Sequence, residues 1–233
     1  MSPETISKMK KQAAIFAVDL IKSGMAVGLG TGSTAIYAIE EIADRLNDGT
    51  LSDLRCIPSS EETRINALSR DIKVYGFDTV THLDINIDGA DEVDGKGNLI
   101  KGGGGALLRE KIIAQNSDRN VIIVDESKLS DQLGEKWHLP VEVLPFCWQV
   151  EAAYIETIGA EVNLRVDTEN QPLLTDQQNY ILDCNFGKIT DPPGLSRMLE
   201  HRAGIIENGL FINTTHDIVT GTPSGIDHKQ IKK

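Results

Sequence analysis

Residues 25–46 read MAVGLGTGSTAIYAIEEIADRL, and this stretch decides the fold. MAVGL is an apolar run of strand length, GTGST is a turn of glycines and hydroxyls, and the rest carries apolar residues at helical spacing. Strand, turn and helix in that order make a β-turn-α unit. Similar units follow outward from it: LRCIPSS (54–60) into EETRINALSRD (61–71), KVYGF (73–77) and LDINIDGAD (83–91) as strands, NLIKGGGG (98–105) into ALLREKIIAQ (106–115), then NVIIVDES (120–127). Upstream, Ser2, Pro3 and Glu4 start a helix whose apolar spacing runs through Ile21 to a stop at Gly24. Strands alternating with helices predict an α/β fold, a Rossmann-like, mainly parallel sheet flanked by helices. Ligands of such sheets collect beyond the carboxyl ends of the strands, where every unusual motif of this chain falls.

From about Leu139 the order changes. LPVEVLP reads as a strand, CWQVEAAYIETIG as a helix, EVNLRV and YILDCNF as strands either side of a polar turn, PPGLSRMLEHRAG as a helix and IIENG as a strand. That β-α-β-β-α-β order is the split unit of a ferredoxin-like α+β domain. GLFINTT and DIVTGTPSGI are expected to be two further strands rejoining the first sheet. The expected division is therefore a larger domain over residues 1–135 and 208–233, with a smaller ferredoxin-like domain inserted over 136–207.

Charge and composition narrow the function. The net charge is −12, and no basic cluster is longer than the one at residues 8–11, which excludes nucleic acid as a partner. An anionic substrate is repelled at long range, so a phosphate site must be local, built from amides and one or two lysines. Cys56, Cys147 and Cys184 are odd in number and widely spaced, as reduced cytoplasmic thiols are. Neither they nor the five histidines have metal-ligand spacing, so no metal site is expected from them, and His82, His138 and His201 read as structural. No apolar run has signal-peptide or membrane-spanning length. A soluble cytoplasmic protein without a membrane partner is expected.

Four motifs carry the chemistry, each beside a plain alternative. GLGTGST lacks the third glycine of a dinucleotide fingerprint and the G-K-[ST] of a P-loop. It leaves exposed amides and the hydroxyls of Thr31, Ser33 and Thr34 at a helix N-terminus, suited to a small phosphate monoester or no more than an N-capped turn. In DGADEVD, Asp88 and Asp91 bracket Gly89 and Ala90 and are placed to bind sugar hydroxyls, whereas Glu92 and Asp94 read as a solvated acidic loop. Lys101 stands before four glycines, an ammonium beside an oxyanion-binding nest or a surface lysine. Glu110 has Ala106, Leu107, Ile113 and Ala114 as helical neighbours, so it is expected to be partly buried, as a general base is. Lys128 and Lys10 are further candidates for the same crevice.

GLGTGSTA, DGADEVD, KGGGGALLREKI and GTPSGID, in this order and over essentially the whole chain, resemble ribose-5-phosphate isomerase of type A. The resemblance implies reversible conversion of ribose 5-phosphate and ribulose 5-phosphate in the pentose phosphate pathway, without metal or cofactor, by a homodimer or dimer of dimers. It implies Glu110 as general base, and Thr31, Gly32, Ser33, Thr34, Asp88, Gly89, Ala90, Asp91, Lys101, Gly102, Gly103, Gly104 and Lys128 as substrate-binding residues. Lys101 and the loop amides would stabilise an enediolate, and Asp88, helped by Lys101, would open the furanose ring. Lys10 or Lys128 would add charge at the phosphate. One departure stands at Leu108, where family members often carry threonine. Two other classes compete: a sugar-phosphate sensor, for which no helix-turn-helix or basic face is found, and a CoA transferase, which calls for more positive charge.

Overall fold

In chain order the elements are α1 (Pro3–Val18), β1 (Ala26–Leu29), α2 (Ala35–Asn47), β2 (Arg55–Pro58), α3 (Glu61–Leu68), β3 (Ile85–Asp88), β4 (Glu92–Val93), β5 (Leu99–Ile100), α4 (Leu107–Gln115), β6 (Asn120–Asp125), β7 (Leu139–Val143), α5 (Trp148–Thr157), β8 (Glu161–Leu164), β9 (Tyr180–Asn185), α6 (Pro192–Glu200), β10 (Ile205–Asn208), β11 (Leu210–Phe211), β12 (Asp217–Thr222) and β13 (Gly225–Gln230). The computed structural model describes residues 1–231, so the last two residues of the expected larger domain lie outside the described residues. The chain divides into two compact units: Met1–Ala90, Arg109–Lys128 and Asn213–Lys233 form the first, and Asp91–Leu108 with Leu129–Ile212 form the second.

The first unit is built on a six-stranded sheet in the order β13-β12-β6-β3-β1-β2. All neighbours are parallel except β13, which folds back antiparallel on β12. Strands β1 and β6 are buried along their whole length, as apolar runs covered on both faces are. Helix α2 buries Ala35, Ala38, Ile39, Ile42 and Ala43, one apolar stripe at helical spacing. Helix α1 lies so close to β12 that a Cβ on Gly221 would come within 2.1 Å of the Met9 carbonyl oxygen. Because β1 has β2 on one side and β3 on the other, the strand order reverses there, and a ligand crevice belongs at the carboxyl ends of β1 and β3.

The second unit holds a four-stranded antiparallel sheet in the order β10-β7-β9-β8, the ferredoxin-like arrangement, over its own core of Val141, Ile155, Leu182 and Leu199. It also holds a three-stranded sheet in the order β11-β5-β4, whose strands are two residues each.

Three elements differ from expectation. KVYGF is not a strand: Val74 makes a single bridge to Cys56, and the chain turns at Gly76, whose carbonyl accepts from Thr79 and Val80. GLFINTT does not rejoin the large sheet, since Leu210 and Phe211 pair with β5, and only β12 and β13 return to it. Helix α1 ends at Val18 instead of running to Gly24, because Leu20 and Ile21 donate to Ala17 and Val18 in tighter i to i−3 turns.

Candidate active site

The first group of site residues stands at the carboxyl edge of the large sheet. Asp88 ends β3 and is only 1% exposed. Its Oδ1 accepts the amides of Thr31 at 3.1 Å and Gly89 at 2.7 Å, which ties the turn after β1 to the turn after β3 across the switch point. A Cβ on Gly30 would lie 2.2 Å from that same oxygen, so glycine is what lets the turn approach the carboxylate. Gly32 takes a left-handed φ of +103° and lies exposed, followed by Ser33 and Thr34 at the start of α2. Thr34 has no side-chain capping bond among the described residues, so the turn is not held as an ordinary N-cap. Its Cβ is 3.9 Å from where a Cβ on Gly89 would be, and half-buried Ala90 follows.

Lys10 on α1 donates to the Ser33 hydroxyl at 2.9 Å, so an ammonium and a helix N-terminus converge on one turn. The Thr31 hydroxyl, by contrast, turns inward. It sits 2.7 Å from Ser59 Oγ, 2.9 Å from Ser60 Oγ and 3.0 Å from Thr63 Oγ1, a buried hydroxyl cluster at the end of β2 that sequence reasoning missed. The serine pair closing LRCIPSS was the available signal. Lys128 lies on the short 3-10 turn Glu126–Lys128 that follows β6, at the same edge of the sheet.

Glu110 is in the first turn of α4 and is 5% exposed. The direction of α4 follows from its ends. Near its C-terminus the Asn116 carbonyl accepts from Leu83 N at 2.9 Å, just before β3 begins, so the helix N-terminus faces the carboxyl edge. Ile113 packs beside Gly28 of β1, and Arg109 Nη1 reaches Glu61 Oε1 of α3 at 3.0 Å. Glu110, one turn before Ile113, is thus on the half of α4 nearer the carboxyl edge of the sheet.

The second group belongs to the second unit. Lys101 is 3% exposed, with its ammonium 5.7 Å from the centre of the Phe211 ring, so it is not a surface lysine. Its amide donates to Gly209 O at 2.9 Å. Gly102 has φ +97° and Gly105 φ +80°. Asp91 Oδ2 accepts the Gly103 amide at 2.7 Å, and a Cβ on Gly103 would fall 2.6 Å from its other oxygen. Gly105 N–H donates to Gly102 O at 3.0 Å. Two of the amides expected to face an oxyanion are thus engaged within the loop, while Gly104 is exposed. Glu92 corrects an expectation outright. It is fully buried, accepting the amides of Gly134, Glu135 and Lys136, and Asp94 closes its own turn by accepting from Lys96 and Asn98.

The three cysteines are free thiols, and burial pushes Cys56 up to about 12, far from a nucleophile's range. Among the described residues no group of three or more His, Cys, Asp or Glu is placed to hold a metal, and no helix is long and apolar enough to cross a membrane.

A parallel sheet whose switch-point turns offer amides, hydroxyls and an ammonium, with a buried carboxylate nearby, defines an α/β enzyme acting on small phosphorylated molecules. The family described as ribose 5-phosphate isomerase A (phosphoriboisomerase A) matches residues 55–225. Ribose-5-phosphate isomerase A of Desulfatibacillum aliphaticivorans is 49% identical, covering 94% of this chain and 95% of its own length. That of Chloroflexus aurantiacus is 47% identical over 98% and 95%. A solved D-ribose-5-phosphate isomerase in complex with phospho-erythronic acid superposes with a TM-score of 0.95 at 37% identity, covering 97% of this chain and 99% of its own. The chain is an aldose-ketose isomerase. It belongs to the ribose 5-phosphate isomerase A family.

Proposed function

We propose that the chain interconverts D-ribose 5-phosphate and D-ribulose 5-phosphate through an enediolate, in the non-oxidative pentose phosphate pathway. The observation that carries this is Glu110, a buried carboxylate in the first turn of a helix whose C-terminus bonds the chain just before β3, so that its N-terminus lies toward the carboxyl edge of the large sheet. Phosphate docks on the Thr31, Gly32, Ser33 and Thr34 turn, with Lys10 as its first cation, supported by the bond Lys10 makes to Ser33, and Lys128 as its second. Asp88, oriented by two amides on Oδ1, uses Oδ2 to move the proton that opens the furanose, with Lys101 assisting. Gly89, Ala90 and Asp91 bind the sugar hydroxyls.

In the open aldose, Glu110 takes the proton from C2, leaving an enediolate over C1 and C2, and returns it to C1. A proton passes between the two oxygens, so the ketose differs from the aldose only in where its hydrogens stand. Negative charge developing on oxygen is met by the Lys101 ammonium and the Gly102, Gly103 and Gly104 loop. The phospho-erythronic acid bound by the solved relative supports this assignment, since it joins a phosphate to a carboxylate whose charge resembles that of an enediolate.

A homodimer or dimer of dimers in the cytoplasm completes the proposal. It is supported by Phe146, which is 95% exposed beside the exposed Val150, and by the free thiols. The test is purified, EDTA-treated protein with ribose 5-phosphate, following ribulose 5-phosphate by absorbance. Turnover is expected; saturable binding without turnover would replace the enzyme with a sensor.

A further inference from the structure

The loop of Lys101 and its glycines has no side chain past the lysine with which to hold itself, and glycine backbone is the least restrained of any. One arginine supplies the restraint. Arg165 Nη1 donates to Gly102 O at 2.8 Å and to Gly103 O at 3.0 Å. The other face of its guanidinium is spent on Asp183, with Nε donating to Oδ2 at 2.9 Å and Nη2 to Oδ1. The arginine is itself held: its amide donates to Ile181 O at 2.8 Å, its carbonyl accepts from Leu173 N, and Asp183 is on β9. Gly103, Arg165 and Asp183 line a cavity of about 470 Å³, so this side of the loop looks onto open space instead of packed core.

We propose that Arg165, braced by Asp183, is a positioning residue for the isomerisation, aiming the glycine loop at the developing enediolate. The proposal rests on the assignment of that loop to the enediolate. In a planar trans peptide the carbonyl of one residue and the N–H of the next point opposite ways. Drawing Gly102 O toward Arg165 therefore turns the Gly103 N–H to the other side, where Asp91 accepts it. Drawing Gly103 O the same way turns the exposed Gly104 N–H to that side too, in line for an oxyanion. Only a planar fork binds two carbonyls and a carboxylate at once; a lysine ammonium reaches one or the other.

The test compares Arg165→Met, Arg165→Lys and Asp183→Asn with the wild type, by steady-state kinetics and by amide hydrogen exchange of the peptide spanning residues 101–105. Arg165→Met is expected to lower kcat about ten- to a hundredfold while KM changes little, because phosphate anchoring is untouched and the loop is misaimed. Loop exchange should quicken while β7 and β9 keep wild-type protection. Arg165→Lys should recover little, and Asp183→Asn should shift both readouts in the same direction by less. Wild-type kcat with wild-type loop exchange in Arg165→Met overturns the proposal, as does a fall in kcat with exchange quickened throughout the second unit. If Arg165→Met does not fold, the same two outcomes in Asp183→Asn decide. A wild-type protein without turnover would remove the isomerase assignment, and loop exchange would still report whether Arg165 holds the loop.

Discussion

The two glycine turns use one device and reinforce it differently. After β1, Gly30 lets the Thr31 amide reach Asp88; in the loop after β5, Gly103 brings its own amide to Asp91. In each, a carboxylate from DGAD accepts an amide that any side chain on that glycine would obstruct. The first turn hangs from a six-stranded sheet, runs directly into a helix of 13 residues, and is gripped on the amide side by Asp88 and on the carbonyl side by the Thr63 hydroxyl, which donates to Gly30 O. The second hangs from strands of two residues, and is gripped on the amide side by Asp91 and on the carbonyl side by Arg165. Both turns are held by side chains on the amide and the carbonyl side, and what differs is the scaffold behind them, a large sheet in one and strands of two residues in the other.

The proposed mechanism gives chemistry to the second turn and Glu110, and anchoring to the first, and substitutions can break that division. Glu110→Gln should lower kcat by about two to four orders of magnitude with KM nearly unchanged, read from steady-state kinetics. Lys101→Met should cost about two to three orders in kcat, as removal of a fixed positive group at a developing oxyanion does. A rise in KM alone would move Lys101 to the anchoring side. Asp217→Asn sharpens the division from outside both turns. Burial alone would push this carboxyl up, but bonds from Arg119 and His228 outweigh it and hold it below the ordinary carboxylate range. The pair's stabilisation is therefore present above that range and lost as pH falls through the folded-state value. Asp217→Asn should cost about 2 kcal/mol in denaturant melts near neutral pH, converge on the wild type in acid, and leave kcat unchanged. Lys10→Met is the smallest effect: about a tenfold rise in KM, with kcat preserved.

Local pattern made much of this visible in the amino-acid order. The β-turn-α unit at 25–46 and the β-α-β-β-α-β order of the second unit declare themselves because apolar spacing within a dozen residues sets both. Asp88 and Lys101 stand out because each sits in an unusual acidic or glycine-rich run where a strand ends, and Glu110 because its helical neighbours Ala106, Leu107, Ile113 and Ala114 are all apolar. What stayed hidden depends on partners far along the chain. Glu92 looked solvated because the amides it binds come some forty residues later, at Gly134, Glu135 and Lys136. KVYGF has the composition of a strand, yet the turn at Gly76 stops it after one bridge. Leu210 and Phe211 join β5 and not the large sheet, a pairing that no spacing encodes. Arg165 gave no signal at all, since its two carbonyls lie at Gly102 and Gly103.

Proton transfer by Glu110 is the central claim, and deuterium exchange tests it most directly. Ribose 5-phosphate is incubated in D2O with wild type or Glu110→Gln, and the sugar carbon that carries the transferred hydrogen is followed by NMR. Deuterium should enter with the wild type and enter more slowly with Glu110→Gln, by the same factor as its loss of turnover. Incorporation by Glu110→Gln at the wild-type rate would contradict the account and place the base elsewhere.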